Sequence, residues 1–318
     1  MLVLKLITDR GDDVPVVVLS FDFEMRWAFH DTYAIDPSRY LNNLKNSRPA
    51  VLAMLQLLKE RNLRATWAAV GALGASCWDE YFALAPDPPK YTNASLRVRS
   101  IFSEIDPSGV LHFAPDLIER ILEVPGQELG SHSFSHLYFR EPGVTSQDFL
   151  ADMEAVESLW KTRFSVIPRS LVFPRNQTAF TDILEFTSIQ LYRGPELPWY
   201  YDCMTYRSNK KIPSLLRFVD GLNPFQKRSQ PLNGRMIRSS LFIRFNLPER
   251  LWLLQLIVIR NELNSIQSGN IFHCWWHPHN VGPDLVTGIA RFRQVFDLIS
   301  NACYVGKVCS NNMNDLVG

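Results

Sequence analysis

The chain has 318 residues, 46% of them hydrophobic, and its 33 basic residues balance 32 acidic ones to a net charge of +1. That length and apolar content can fill the core of one large α/β barrel or of two smaller domains. The near-neutral charge leaves no electrostatic footprint for nucleic acid, so we do not expect a nucleic-acid partner.

The N-terminal segment carries no recognisable secretory signal. Met1–Ile7 is apolar but short, and the charged residues of Asp9–Asp13 follow without a small-residue cleavage site. The nearest approach to a membrane span is Leu251–Ile259, well below the required length of about 18 apolar residues. The five cysteines are odd in number and lack Cys-x-x-Cys spacing, so neither a disulfide framework nor a thiolate zinc site is expected. We therefore predict a cytoplasmic protein.

The first predicted strand, Val14–Ser20, is rich in β-branched residues and leads directly to two acids, Asp22 and Glu24. Acids at the carboxyl end of a strand point into the mouth of an α/β fold, where such folds place their chemistry. The alternative is that Asp22 caps a turn and Glu24 is solvated.

The following elements alternate between helix and strand. A long loop over Trp27–Asn46 leads to a helix over Pro49–Arg61, with proline in its first turn, and then to a strand over Ala65–Val70. The proline-rich stretch of about 75–110 is predicted as a loop insertion with short helices, before a helix over Pro115–Leu122.

Two histidines four residues apart, His132 and His136, directly follow the strand-like segment Gln127–Gly130. Either a helical turn or a tight loop would let both imidazoles bind one metal ion. Together with a carboxylate they form a common catalytic zinc set, which leaves coordination positions for water and substrate.

The second half of the chain continues the alternation. A capped helix over Ser146–Phe164 precedes strands over Ser170–Phe173 and Ile189–Tyr192. The segment 195–247 has an irregular pattern and is predicted as a surface excursion that roofs the site. A helix, a strand and a helix close the chain, over Pro248–Asn264, Asn270–Trp276 and Gly288–Ala302.

Three histidines cluster near the last predicted strand. Pro278 stops the strand ladder, so His277 is its last regular position, and a proton donor there could face a metal ion. His279 is the alternative donor, whereas His273 lies deeper along the strand and is predicted to be packed.

These motifs, in this order, resemble the polysaccharide deacetylases of the NodB-homology type, carbohydrate esterase family 4, over roughly residues 14–301. The resemblance rests on Ser20–Glu24, His132–His136, Phe173–Asn176 and Trp276–Pro278, with Arg64–Gly71 similar to the second strand of the family. The acids are separated by one residue, as in a divergent branch. The resemblance implies an α/β fold, a distorted (β/α) barrel of about seven parallel strands. We expect a single catalytic domain over 1–318 with insertions at about 75–110 and 195–247.

The resemblance also implies roles for individual residues. Asp22 would be the general base and Glu24 would join His132 and His136 in binding one divalent metal ion, expected to be zinc, although the two acids could exchange roles. Arg175 would orient the catalytic carboxylate, with Arg169 as the alternative, and His277 would be the general acid, with His279 as the alternative. The substrate-binding residues predicted around this site are Trp27, Asn176, Trp276 and His279.

The expected reaction is hydrolysis of an N-acyl group, N-acetyl first of all, on an amino-sugar substrate of surface-polysaccharide biosynthesis. One alternative is an allantoinase-like amidohydrolase that acts on a non-sugar C–N bond. The other is a carbohydrate-binding relative that has lost catalysis. The oligomeric state has no signal in the sequence.

Overall fold

The computed structural model describes residues 14–29, 40–93, 96, 100–202 and 211–317, with the backbone alone for 100–102. The Met1–Asp13 segment, and with it the interpretation of the N-terminus, lies outside these residues, as does 30–39 of the long loop predicted over Trp27–Asn46. None of the described helices is both long and apolar enough to cross a membrane.

Helices and strands alternate along most of the described chain. The strands are β1 (Val16–Phe23), β2 (Ala65–Ala69), β3 (Gln127–Ser131), β4 (Ser170–Val172), β5 (Leu191–Gly194), β6 (Gln230–Pro231), β7 (Met236–Arg238), β8 (Leu241–Phe242), β9 (Asn270–Trp276) and β10 (Cys309–Asn311). The α-helices are α1 (Leu41–Glu60), α2 (Trp78–Leu84), α3 (Ser100–Ile105), α4 (Pro115–Glu123), α5 (Ser146–Phe164), α6 (Lys211–Asp220), α7 (Glu249–Ser265) and α8 (Leu285–Tyr304).

The strands form one sheet in the order β6-β9-β1-β2-β3-β4-β5-β7, with β10 beside β1 and β8 beside β9. Every pairing between these strands is parallel except that of β6 with β9. The connections between the parallel strands carry the helices, as parallel sheets require. The predicted α/β fold, a distorted barrel of about seven parallel strands, is confirmed.

The sheet closes on itself through the short segment that contains β7 and β8. Strand β7 pairs with β5, and β8 pairs with β9, so one stretch of chain joins the two ends of the parallel sheet. The Ser239 amide donates to Gly194 O on one side and the Ser240 amide to His273 O on the other. The barrel therefore has seven staves around a common interior, formed by six strands and by the closing segment. The six strands are β9, β1, β2, β3, β4 and β5, and the closing segment contains β7 and β8.

Side-chain alternation along β1 decides which residues enter that interior. Phe21 and Phe23 belong to the large core between the sheet and the helices, whereas Val18 joins a smaller cluster with residues of β2, β4, β5 and β9 inside the barrel. Successive strand residues face opposite sides of a sheet. Ser20 and Asp22 therefore share the interior face of Val18, and Asp22 lies at its upper, carboxyl-terminal end.

Several predicted boundaries differ from the structure, and three of the differences concern the acids, the first long helix and the closure of the barrel. Strand β1 runs to Phe23, so Asp22 lies within it rather than after it. Helix α1 begins at Leu41, and Pro49 lies inside it rather than in its first turn. The predicted surface excursion at 195–247 contains α6 and the two strands that close the barrel. Strands of two or three residues are too short to display an alternating pattern, so the sequence did not reveal them.

Candidate active site

Two carboxylates lie at the mouth of the barrel, where β1 ends. Asp22 and Glu24 are each 3% exposed. Isolated carboxylates are rarely buried to this extent, because the loss of hydration must be offset by cations or hydrogen bonds. The partners of these two groups therefore define the chemistry of the site.

Asp22 is held by the guanidinium of Arg193, the third residue of β5. Nη1 and Nη2 of Arg193 donate to the two carboxylate oxygens of Asp22 at 2.6 and 2.7 Å. The same nitrogens donate to Ser20 Oγ and Asn176 Oδ1, both at 3.1 Å. The guanidinium carbon lies 4.1 Å from the centre of the Trp275 ring. A bidentate, stacked arginine fixes both the charge and the orientation of its carboxylate.

The structure thus assigns to Arg193 the contact that the sequence predicted for Arg175. Arg175 is exposed, and its guanidinium carbon stacks 4.2 Å from the centre of the Tyr138 ring. Its backbone has a positive φ of 55° in the turn after β4, and both oxygens of Asp22 accept from Arg193 instead. Arg169, the other candidate, precedes β4 and so lies at the opposite end of that strand from the acids. Arg193 had no motif to mark it, because it follows Leu191 and Tyr192 as an isolated charge.

Glu24 meets the two histidines of the His-x-x-x-His motif. Its Oε1 lies 2.8 Å from His132 Nε2 and 3.2 Å from His136 Nε2. The three donor atoms are all within 4.8 Å of one another, and the three residues are buried. On the far side of its ring, His132 Nδ1 lies 2.7 Å from Val172 O and donates to it. That bond leaves the Nε2 lone pair facing Glu24, which is the tautomer a metal ligand needs. The residues present therefore fit a divalent metal ion.

A tight loop, the second of the two geometries considered, presents this pair of histidines. Ser133 and His136 both have positive φ, at 68° and 55°. The buried Asp152 of α5 accepts from the Ser133 hydroxyl and from the Phe134 amide, and Ser133 Oγ in turn accepts from the Leu137 amide. These contacts offset the cost of the unfavourable backbone conformation. Asp152 is a positioning residue that the sequence pattern did not indicate.

His277 completes the site from the end of β9. Its Nε2 lies 3.5 Å from Glu24 Oε1 and 3.7 Å from Asp22 Oδ2, and its side chain is 21% exposed. Burial acts to lower the pKa of His277, but the carboxylates of Glu24 and Asp22 outweigh it and raise that pKa above its usual value. His277 therefore lies near both carboxylates, and its environment favours the protonated form of its imidazole.

The other acid candidate, His279, has a different environment. Its ring lies 5.0 Å from that of His277 and 5.1 Å from Phe29. Burial, with the neighbouring His277 as the next cause, lowers the pKa of His279 to about 3. His273 is packed inside the barrel, as predicted, with Nε2 at 2.8 Å from Ser20 Oγ, and burial holds its pKa well below the ordinary range.

The electrostatics of the metal-ligand candidates also favour metal binding. Burial acts to raise the pKa of Glu24, but His277 and His136 outweigh it and lower that pKa well below its ordinary value. Burial lowers the pKa of His136 against the opposing effect of Glu24. A carboxylate that favours its ionised form beside a His136 imidazole that favours its neutral form suits metal binding.

Two of the predicted substrate-binding residues are core residues. Trp27 is fully buried and donates its indole N–H to His112 O, and Trp276 is fully buried among Phe21, Phe245 and Phe292. Neither ring presents surface to a ligand, so both assignments are corrected. The interior face of β9 carries His273 and Trp275, and Trp276 faces outward by alternation.

The two remaining predicted contacts stay close to the acids. Asn176 lies at the site but uses its amide oxygen on Arg193, and buried His279 lies beside His277. Trp275 and Phe242, which the sequence did not single out, have their ring centres 4.6 Å apart, and each lies 5.8 Å from the His277 ring.

The comparisons with known proteins agree with this geometry. The profile of the polysaccharide deacetylase family matches residues 12–185, which is more than half of the chain. The chain therefore belongs to the polysaccharide deacetylase family. The matched region contains the acid pair and both histidines of the His-x-x-x-His motif, whereas Arg193 and His277 lie beyond it. No curated protein matches the chain in sequence.

One solved structure shares the fold of the chain at low sequence identity, and two others match it with lower TM-scores. A protein from Mycobacterium smegmatis assigned to the polysaccharide deacetylases is 13% identical with a TM-score of 0.58, over 97% of this chain and 90% of that one. A CE4 family pseudoenzyme from Bacillus anthracis is 12% identical with a TM-score of 0.47, over 97% of this chain and 67% of that one. A family 4 carbohydrate esterase from Streptomyces lividans, solved with acetate, is 11% identical with a TM-score of 0.42, over 94% and 92%.

Replacing Arg193 by methionine should reduce the free energy of unfolding by about 3–5 kcal/mol, because Asp22 would remain buried without its cation. Urea denaturation of the purified variant measures the change. The double variant Arg193→Met/Asp22→Asn should regain part of the loss, since it removes the unpaired charge as well.

The matched control is Arg175→Met, which removes an exposed guanidinium and its stacking on Tyr138. We expect it to cost about 0.5–1 kcal/mol. Equal losses in Arg193→Met and Arg175→Met would contradict the assignment of the buried ion pair to Arg193.

Proposed function

We propose that the protein is a metal-dependent hydrolase that removes an N-acyl group, N-acetyl first of all, from an amino-sugar substrate. The observation that carries the proposal is the convergence of three metal-ligand candidates with an arginine-held carboxylate and a histidine at one barrel mouth. Family membership supports a deacetylase. The metal, the acyl group and the sugar are proposed.

Glu24, His132 and His136 are the proposed ligands of one divalent ion, with zinc as our first choice because two imidazoles and a carboxylate form a catalytic zinc set. When bound, such an ion polarises the amide carbonyl and lowers the pKa of a bound water from about 15.7 towards 7. The hydrogen bond from His132 to Val172 O keeps the imidazole oriented for this role.

Asp22 is the proposed general base. Asp22, Glu24 and His277 could also form a metal-binding group, since their donor atoms lie within 4.8 Å of one another. We assign the ligand role to Glu24 because both oxygens of Asp22 already accept hydrogen bonds from Arg193. The Arg193 guanidinium holds the Asp22 carboxylate in place, and Asp22 takes a proton from the attacking water.

His277 is the proposed general acid. The carboxylates of Glu24 and Asp22 raise its pKa, which favours the protonated form, and its side chain stands partly exposed at the edge of the site. In the second half of the reaction it delivers its proton to the leaving amine. Its Nδ1 lies 3.2 Å from the Asn280 side-chain amide, which helps to orient the ring.

The substrate is proposed from the family and from the lining of the mouth. Trp275 and Phe242 flank the His277 ring, and aromatic faces suit the apolar faces of sugar rings. We propose one catalytic domain over 1–318, with a role in surface-polysaccharide biosynthesis in the cytoplasm.

Assays of acetate release from N-acetylated sugars and of ring opening in cyclic ureides would separate a sugar deacetylase from an allantoinase-like amidohydrolase. Activity in neither assay, with metal bound, would favour a carbohydrate-binding relative.

Metal content should separate the two acids. We expect about one divalent ion per purified chain, lost in His132→Ala, His136→Ala and Glu24→Gln and retained in Asp22→Asn. The two alanine changes remove a donor atom and Glu24→Gln removes the negative charge of a ligand, whereas Asp22→Asn removes only the base. Elemental analysis by plasma mass spectrometry measures the ratio. Full metal content in the histidine variants would remove the proposed site, and loss in Asp22→Asn alone would exchange the roles of the acids.

Turnover should separate the two histidines near the end of β9. His277→Ala should lower kcat by roughly 10²–10⁴-fold with metal retained, which is the usual contribution of acid–base assistance. His279→Ala should retain most of its turnover, because a histidine with a pKa of about 3 is neutral at pH 7 and its remaining N–H is too weakly acidic to protonate a leaving amine. A nearly inactive His279→Ala beside an active His277→Ala would reverse the assignment.

The same two histidines should have opposite effects on stability in protein stripped of metal with a chelator. The raised pKa of His277 stabilises the fold fully below the unfolded-state value of about 6.5, and this contribution is lost as pH rises through the folded-state value. The depressed pKa of His279 stabilises the fold above about pH 6.5, and this contribution is lost as pH falls towards about 3. The free energy of unfolding of the wild type and of the two alanine variants, measured between pH 5 and 9, tests these two opposite pH dependences.

A further inference from the structure

The register of the closing strand brings the backbone of Arg244 to the end of β9, where the proposed general acid follows. Leu241 pairs with Cys274 and Phe242 with Trp275, and the Ile243 amide donates to Trp275 O at 3.0 Å, which extends the ladder by one residue. Continued by one more position, the register sets Arg244 opposite His277. Alternation also puts Arg244 on the same face as Phe242, whose ring lies 5.8 Å from that of His277.

The guanidinium of Arg244 differs from three buried guanidinium groups that stabilise this fold. Arg193, Arg228 and Arg291 each form a salt bridge, with Asp22, Asp220 and Glu249 respectively. Arg244 is half-buried, yet within the described part of the chain its guanidinium forms neither a salt bridge nor a hydrogen bond. A partly desolvated guanidinium without an acceptor is costly to the free protein and available to an anionic ligand.

The nearby carboxylates are engaged elsewhere. Asp220 accepts from Arg228 and from the hydroxyl groups of Tyr200 and Tyr201. Glu196 accepts from the indole of Trp275, and burial raises the pKa of the Glu196 carboxyl, which favours its neutral form. Asp220 and Glu196 therefore interact electrostatically with Arg244 but do not accept hydrogen bonds from its guanidinium.

The surroundings of Arg244 hold its side chain in a fixed position. Its guanidinium carbon lies 5.2 Å from the centre of the Phe242 ring and 5.8 Å from that of Phe218 in α6. Its backbone amide donates to the fully buried Gln255 at 2.9 Å. Gly221 leaves the space for the group, because a Cβ there would lie 2.7 Å from Arg244 Nη1. Contacts with aromatic faces leave the N–H edge of a guanidinium free for a ligand.

We propose that Arg244 forms an anion subsite at the barrel mouth, beside His277, which binds a carboxylate or phosphate group carried by the amino-sugar substrate. This inference rests on the proposed function and specifies its substrate class. The planar fork of a guanidinium matches both anions in a bidentate arrangement. The subsite would make an acidic or phosphorylated sugar a better substrate than its neutral parent.

The test compares four ligands: N-acetylglucosamine, its 1-phosphate, its 6-phosphate and its 6-carboxylate analogue. Deacetylation gives kcat/KM for each, and calorimetry gives Kd for the corresponding free amines. The proteins are the wild type, Arg244→Gln, Arg244→Lys and Gly221→Ala. Gly221→Ala displaces the fork while it retains the charge. Arg250→Gln is the matched control, because Arg250 is exposed at the start of α7.

In the wild type we expect at least one anionic ligand to exceed N-acetylglucosamine by about 10- to 100-fold in kcat/KM, the value of a charge-assisted bidentate contact. This ratio should fall to about 1 in Arg244→Gln and to intermediate values in Arg244→Lys and Gly221→Ala, and should persist in Arg250→Gln. The identity of the preferred ligand distinguishes phosphate from carboxylate.

Equal use of neutral and anionic sugars by the wild type, or an unchanged ratio in Arg244→Gln with a native unfolding curve, would overturn the subsite. Failure of the proposed function has a different signature. If no sugar is deacetylated but the free amines with an anionic group still bind more tightly than glucosamine, in a manner that depends on Arg244, the subsite stands without the deacetylase. If this preference in binding is absent as well, the subsite is refuted.

Discussion

The ion pair between Asp22 and Arg193 is the constraint on which the site depends. It lies inside a barrel whose next layer below is apolar, with Val18, Ala68 and Val172. Neither charge could be buried there alone, because each would lose its hydration without compensation. The arginine donates to both oxygens of the carboxylate and to the side chains of Ser20 and Asn176. Strands β1 and β5 and the turn after β4 are thereby joined through one guanidinium.

The second acid of the pair has a different set of partners. Among the residues that the structure describes, the Glu24 carboxylate forms its close contacts with imidazoles, from the loop after β3 and from the end of β9. Asp22, two residues away, is paired with the guanidinium of Arg193. This pairing reduces the electrostatic repulsion between the two carboxylates at the barrel mouth. The difference in partners also separates their proposed roles, since Glu24 Oε1 lies close to both His132 and His136, whereas both oxygens of Asp22 accept hydrogen bonds from Arg193.

The segment between β5 and α7 links the architecture to the proposed specificity. Its strands β7 and β8 close the barrel, and the same stretch places Phe242 beside His277 and Arg244 one alternation further along. Helix α6 supplies Phe218 to the other side of Arg244. One short segment of the chain thus both closes the sheet and lines the barrel mouth, and it is not a separate surface excursion above the site.

The sequence by itself determined the fold class, through the alternation of helix and strand patterns and the resemblance to a known family. It also located the acid pair, the His-x-x-x-His motif and the last strand with His277, because each of these three is a local pattern at the end of a strand. Only the tertiary structure decided which arginine meets Asp22. Arg175 follows a proline motif but stacks on Tyr138, whereas Arg193 is an isolated charge that β5 carries into the barrel. It also decided that Trp275 rather than Trp276 lines the interior, since one residue of strand register exchanges the two faces. Such long-range placements depend on pairings between strands far apart in the chain, which local sequence patterns do not encode.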